Sequence, residues 1–363
     1  MKHISVLIKP ASSLCDMRCA YCFYYDVAKS RHEFSKGLMT RQTAELLVQN
    51  VFCDLEAGDN VTFAFQGGEP GLAGLDFFIN FVDMAKKAAA KNVKIRYAFQ
   101  TNGLMMDELW CKFFLENNFL VGLSLDCYAA LHNKNRMDSH GKGTYARVMA
   151  AKKLMDAFRV QYNILCVLTA ESSRRANRIW DFVMQENIRH IQFIPCLEPT
   201  QQQSVHSLSG EKFHRFYTDL FLHWKREASK GNPVAVRFFE DIAQLMLTGR
   251  AVTCGIIGRC SPQIVVEADG GVYPCDFYVL DEYRVGNLTR NTLREVFEAV
   301  VSSGFLEHSP MHDTCKDCAH SKWCQGGCKR MQSAVYGERC GMRMFLDENL
   351  HELLSVFRAA RKT

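Results

Sequence analysis

The sequence predicts an α/β protein: a partial (β/α)6 barrel of parallel strands, followed by a small cysteine-rich C-terminal domain. Three observations lead there. Through residues 1–235, short apolar strand-like runs alternate with amphipathic helical stretches, about one unit per 30 residues, which implies right-handed βαβ crossovers and a parallel sheet. The residues with unusual chemistry fall directly after predicted strands, the rim where active sites of βα barrels sit. From residue 236 to 363 the alternation stops and cysteines become dense.

The elements follow in order. The first strand, "ISVLIKP", runs into the loop "SSLCDMRCAYC". The helical pattern "TAELLVQNVFCDL" leads to the strand "VTFAFQ" and then "GGEP". "LDFFINFVDMAKK" precedes "IRYAFQ", which ends at "TNG"; "ELWCKFFLENN" precedes "LVGLSLD", which enters "CYAALHNKNR". "YARVMAAKKLMDAF" and the strands "YNILCVLT" and "IQFIPC" complete six units by their apolar periodicity. "GNPVAV" reads as a connector and "FFEDIAQLMLTG" as a helix, and "IVVEADGGVYPC" is a hairpin around Asp-Gly-Gly.

Bulk properties narrow the function. The 363-residue chain is 48% hydrophobic and 23% charged, as a globular enzyme should be. Its net charge of +5 comes from scattered Lys and Arg with no basic stripe, so nucleic acid is not an expected partner. No apolar run approaches the ~20 residues of a membrane helix, and "MKHISVLIKPASS" is too short an apolar stretch for a signal peptide. A cytoplasmic location without membrane attachment is expected. There the 16 cysteines serve metal or redox chemistry better than disulfides. Cys53, Cys111, Cys127, Cys166 and Cys196 are dispersed, while the others gather in two regions.

Cys15, Cys19 and Cys22 form C-x3-C-x2-C, one ligand short of a four-coordinate site. An iron–sulfur cluster with one iron left for an exogenous ligand fits this spacing, and a partial zinc site is the plain alternative. After the second strand come Gln66, Gly67, Gly68 and Glu69. Paired glycines permit close backbone approach, and Glu69 offers an acceptor for an ammonium. Alone, "GGEP" reads equally as a turn. Near the C-terminus, Cys254-x5-Cys260 is followed by Gly270 and Cys275, then Cys315-x2-Cys318-x5-Cys324-x3-Cys328 and Cys340. These thiols suffice for two four-cysteine sites, with zinc as the alternative metal.

The first motif, with Tyr21 before its last cysteine, "GGE" and the later "FQTNG" and "LSLD", resembles the radical S-adenosylmethionine (SAM) superfamily. The C-terminal pattern resembles the SPASM extension of that superfamily. "IKPASSLCDMRCAYCFYY", "FAFQGGEPGLAGLDFF", "IQFIPCLEP" and "VYPCDFYVLDEYRVGN" are similar to anaerobic sulfatase-maturating enzymes, which oxidise a Cys or Ser side chain of a sulfatase polypeptide to Cα-formylglycine. The resemblance implies three [4Fe–4S] clusters and SAM. Cys15, Cys19 and Cys22 would hold the first cluster; Cys254, Cys260, Cys275 and Cys328 the second; Cys315, Cys318, Cys324 and Cys340 the third. It implies SAM contacts from Glu69 and its glycines, with Tyr21, Tyr24, Gln66, Gln100, Asn102, Ser124 and Arg136 lining the same cleft. A 5′-deoxyadenosyl radical would abstract a Cβ hydrogen, Asp276 would remove the thiol or hydroxyl proton, and the auxiliary clusters would carry the electron away. A flavodoxin or ferredoxin is the implied reductant. The expected domains are 1–235 for the radical chemistry and 236–363 for the auxiliary clusters. At "LSLDC" the chain has Cys127 where the family usually has glycine. Two alternatives remain at this stage: a SPASM maturase that crosslinks a ribosomal peptide, and a non-catalytic iron–sulfur carrier or zinc scaffold.

Overall fold

The structure, a computed structural model, describes residues 3–89, 92–199, 204–307 and 311–360. Its strands are β1 His3–Ile8, β2 Met17–Cys19, β3 Asn60–Phe65, β4 Lys94–Thr101, β5 Phe119–Ser124, β6 Arg136–Asp138, β7 Tyr162–Leu168, β8 His190–Pro195, β9 Ala235–Val236, β10 Ile264–Val266, β11 Gly271–Tyr273 and β12 Gly286–Asn287. The six strands read from apolar periodicity are β1, β3, β4, β5, β7 and β8, and the Asp-Gly-Gly hairpin is β10–β11. The short pair β2–β6 had no sequence signal, being three residues long on each side.

The expected boundary after residue 235 divides the sequence; by contact the chain falls into two compact units made of discontinuous segments. The first comprises Met1–Ser124, Asn133–Tyr162 and Pro262–Leu306; the second comprises Leu125–His132, Asn163–Ser261 and Glu307–Thr363. In the first unit the strand order is β12-β11-β10-β1-β3-β4-β5. The run β10, β1, β3, β4, β5 is parallel, and β11 and β12 are antiparallel additions. In the second, β7, β8 and β9 are parallel.

Period-two alternation builds the core of the first unit. Phe63 and Phe65 of β3 stand in register with Tyr97 and Phe99 of β4. The helices Leu75–Ala88 and Glu108–Glu116 cover them with Phe78, Phe81, Trp110 and Phe114, ring centroids mostly 5.0–5.6 Å apart. The alternate residues, among them Ala64, Ala98 and Gln100, are half-buried on the opposite face. That face is therefore polar-capable, and the loops after the strands extend from its edge. In the second unit, the helices Gly210–Ser229, Arg237–Thr248 and Gly341–Ala360 pack through Phe213, Tyr217, Phe238, Phe239 and Phe345. Among the described residues no helix is long and apolar enough to cross a membrane.

Candidate functional site

The loop after β1 is shaped by its own backbone. Lys9 continues the β1–β10 pairing by donating its N–H to the Val266 carbonyl at 2.8 Å, and its carbonyl accepts from Ser12 N–H at 3.0 Å. β2 then pairs with β6 so that Cys19 stands opposite Arg136. Cys22 caps the helix Phe23–Lys29, its sulfur accepting from Tyr25 N–H at 3.4 Å. The Cys15 sulfur accepts from Met17 N–H at 3.4 Å. Such donors favour a thiolate, but burial dominates and pushes the Cys15 thiol up to about 12. A metal that displaces the proton reverses that balance.

The Gly67-Gly68-Glu69 segment after β3 clamps this loop. Gly68 N–H donates to the Ser12 carbonyl at 2.8 Å and Glu69 N–H to the Leu14 carbonyl at 2.7 Å. A Cβ on Gly68 would lie 2.0 Å from the Leu14 carbonyl oxygen. One on Gly67, whose φ is +133°, would meet the Ser12 oxygen at 3.0 Å and Lys9 Cβ at 3.1 Å. The motif predicts close approach at this point, and the group that approaches is the backbone of the cysteine loop.

Glu69 is 1% exposed. Its carboxylate accepts from the Thr101 hydroxyl at 2.9 Å, Asn102 N–H at 2.7 Å and Gly71 N–H at 3.1 Å. Burial nevertheless pushes it up to about 7 against the pull of those donors. All three are neutral, so a cationic ligand would favour the ionised form. The Asn102 side chain donates to Asp16 at 2.6 Å and lies 3.8 Å from the Cys15 sulfur. The fold thus brings Cys15, Glu69 and Asn102 together, with Asp16 as a member the sequence did not single out. Arg136 is buried, its Nη1 4.0 Å from the Cys19 sulfur and its guanidinium 5.5 Å from the Tyr21 ring centre. Gln100 sits in register with Gly122, and Ser124, two residues beyond Gly122 on the same face, is nearly buried. The half-buried Gln66 follows Phe65 at the end of β3, with its N–H bonded to the Ile8 carbonyl.

Asp276 follows Cys275 just beyond β11. Its N–H donates to Gln263 Oε1 at 3.2 Å, and its carboxylate is 2.5 Å from Lys9 Nζ. The Lys9 side chain is 1% exposed and that of Asp276 17%. Lys9 Nζ lies 3.9 Å from the centre of the Tyr24 ring. Tyr24 is itself buried and donates its hydroxyl to Glu267, which also pairs with Arg31 at 2.7 Å. Burial and the Glu267 charge hold the Tyr24 hydroxyl far above its usual range, so it remains a donor. Two cations and two carboxylates therefore surround one tyrosine. Lys9, Arg31 and Glu267 carry no local sequence signal: their partners lie 236–267 residues away.

In the second unit, Cys315, Cys318, Cys324 and Cys340 line one small cavity with Tyr336. Gly327 lies under the Tyr336 ring, which a Cβ would approach to 2.1 Å. Burial, then Cys340, Cys318 and Cys315 as charged neighbours, push the Cys324 thiol up to about 11. Cys254, Cys260 and Cys328 form a further group: burial raises the Cys328 thiol first, and Cys254 and Cys260 add to it. Cys275 belongs to the first unit, on the loop after β11. None of these cysteines is in a disulfide. Grouped, unbridged thiols that resist ionising together fit thiolate ligation of iron, because the cations remove their mutual repulsion.

The fold and the cysteine groups define a radical SAM enzyme with an iron–sulfur-binding extension: residues 10–172 match the model of the radical SAM superfamily, and residues 254–319 match that of an iron–sulfur cluster-binding domain. Its cofactors are accordingly iron–sulfur clusters and SAM. The cysteine-type anaerobic sulfatase-maturating enzyme of Clostridium novyi is 42% identical over 334 residues, covering 91% of this chain and 89% of the relative. The serine-type enzyme of Klebsiella aerogenes is 29% identical over 94% of this chain and 84% of its own. A solved structure, native anSMEcpe with bound AdoMet and Cp18Cys peptide, superposes with a TM-score of 0.90 at 37% identity, covering 99% of both chains. The chain belongs to the anaerobic sulfatase-maturating enzymes.

Proposed function

We propose that the protein oxidises a cysteine side chain in an unfolded or nascent segment of a sulfatase polypeptide to Cα-formylglycine. The preference for cysteine rests on the relatives: 42% identity to a cysteine-type enzyme against 29% to a serine-type one. Cys15, Cys19 and Cys22 would hold the SAM-binding cluster. Cys254, Cys260, Cys275 and Cys328 would hold one auxiliary cluster, and Cys315, Cys318, Cys324 and Cys340 the other, with the electron-exit chemistry in residues 236–363 and the radical chemistry in 1–235. When bound, these cofactors supply the 5′-deoxyadenosyl radical that takes a Cβ hydrogen and the exit for the electron that follows.

The chain's own residues do the rest. Glu69 accepts hydrogen bonds from the SAM ammonium, and Ser124 and Arg136 serve its carboxylate. Tyr21, Gln100 and Asn102 line the SAM cleft, and Tyr24 and Gln66 form the wall beside it. Asp276 accepts the thiol proton, leaving an electron-rich sulfur that favours loss of the electron; hydrolysis of the resulting thioaldehyde completes the reaction. An electron donor of the flavodoxin or ferredoxin class supplies the reducing equivalents.

The observation that carries this assignment is a partly exposed carboxylate next to Cys275, held by a buried lysine at 2.5 Å. Asp276→Asn should slow formylglycine formation by about 10²–10⁴-fold, the contribution of a positioned base, while iron content and SAM cleavage persist. Wild-type turnover by that variant would remove Asp276 from the mechanism.

A further inference from the structure

Lys9 lies six residues before the first cysteine, in the stretch "IKPASSLC" whose resemblance assigns it no role. Its backbone joins two structures. Its N–H binds the Val266 carbonyl of β10, and its carbonyl starts the turn that becomes the cysteine loop. Its side chain is almost fully enclosed. The stem packs against Gly67, where a Cβ would come within 3.1 Å of Lys9 Cβ and 3.2 Å of Cγ, so a glycine there gives the stem its path. The ammonium lies 3.9 Å over the Tyr24 ring and 2.5 Å from Asp276 Oδ1. Tyr24 is held in turn by Glu267, and Glu267 by Arg31. Lys9, Tyr24 and Glu267 are 0–2% exposed and Arg31 6%, whereas the Asp276 side chain is 17% exposed. Asp276 is the most exposed member of the network.

We propose that Lys9 is a positioning residue for Asp276: it fixes the carboxylate relative to the cysteine loop, so that base and radical source meet the same substrate side chain, the base at its thiol and the radical at its Cβ. The ammonium occupies one carboxylate oxygen, Oδ1, and leaves Oδ2 to take the proton of the target thiol. The thiol S–H bond breaks, the carboxylate O–H bond forms, and the sulfur keeps the electron pair. The cation over Tyr24 and the Tyr24–Glu267 hydrogen bond keep the lysine from following solvent. This role rests on Asp276 acting as the base.

The test compares Lys9→Met, Lys9→Arg, Asp276→Asn and the Lys9→Met/Asp276→Asn double variant as reconstituted holoenzymes. Iron content and 5′-deoxyadenosine formation without peptide serve as controls. Lys9→Met should lower kcat for formylglycine by about 10- to 100-fold, the loss expected of a displaced catalytic group, with the peptide KM and the peptide-free SAM cleavage unchanged. Lys9→Arg should recover part of that loss. The double variant should be no slower than Asp276→Asn, because both act through one carboxylate. If Asp276→Asn is inactive while Lys9→Met turns over normally, the positioning role fails and the base stands. If Asp276→Asn is itself fully active, the base assignment fails and the role of Lys9 with it. A Lys9→Met variant that loses iron or peptide-free SAM cleavage would show the lysine holding the loop and not the base, and would also overturn the proposal.

Discussion

Replacing Gly68 by alanine tests how the cysteine loop is held. The added Cβ would lie 2.0 Å from the Leu14 carbonyl oxygen, 2.6 Å from its carbon and 2.8 Å from the Ser13 carbonyl carbon. Carbon–oxygen contacts settle at about 3.3 Å, so the backbone immediately before Cys15 has to withdraw by more than about 1 Å. No flexible side-chain tip is available to absorb the clash. The withdrawal also pulls apart the Gly68–Ser12 and Glu69–Leu14 hydrogen bonds, at 2.8 and 2.7 Å. Each contributes about 1 kcal/mol, and overpacking adds about 1–3 kcal/mol. Because Cys15 and Glu69 move apart together, SAM is misplaced by a comparable distance, for which about a 10²-fold loss of rate is expected. The assay is 5′-deoxyadenosine formation by reconstituted protein under strong reductant, with iron counted in the same sample. The variant should keep the iron of the C-terminal cysteine groups and cleave SAM about a hundredfold more slowly. Wild-type cleavage would refute the idea that this glycine exists to admit the loop backbone.

Two further outcomes follow from the buried carboxylates. Glu69 stands near 7 before SAM binds, and an ammonium partner lowers it, so binding below pH of about 7 must expel a proton. SAM affinity should fall by up to tenfold for each pH unit below that point, and Glu69→Gln should bind weakly with no such slope; a flat wild-type profile in titrations spanning that range would contradict the assignment. Arg31→Met strands the Glu267 carboxylate, whose side chain is 0% exposed, and should destabilise the fold by about 3–5 kcal/mol in denaturant unfolding, whereas a change below about 1 kcal/mol would mean that Tyr24 alone satisfies Glu267.

What the sequence disclosed was what depends on short-range order. Six strands could be read because apolar residues alternate along them, and the Cys15, Cys19 and Cys22 set because ligands on one loop keep a fixed spacing, whereas the division of the C-terminal cysteines was implied by the resemblance alone. Glu69 was visible through the glycines beside it, although the reason for Gly68 became clear only with Leu14 in place. The Lys9–Asp276 and Arg31–Glu267 pairs had no such marker. They join distant parts of the chain through the parallel pairing of β10 with β1, and nothing in a local window says that a lysine after the first strand faces an aspartate beyond β11. Cys127 is a different case. Its φ of +54° is the left-handed conformation that glycine adopts freely, which explains why the family usually has glycine there. In this chain the position is tolerated at a cost of roughly 1–2 kcal/mol, with its sulfur 3.7 Å from that of Cys166.

The most direct measurement of the central claim is mass spectrometry of a cysteine-containing sulfatase peptide incubated anaerobically with reconstituted enzyme, SAM and reductant. The expected product has lost one sulfur and two hydrogens and gained one oxygen, with an aldehyde that reacts with hydrazine and with 5′-deoxyadenosine formed alongside. A peptide that instead loses hydrogen alone, keeps its sulfur and gives no aldehyde would mean that the enzyme forms a crosslink, and would contradict the account.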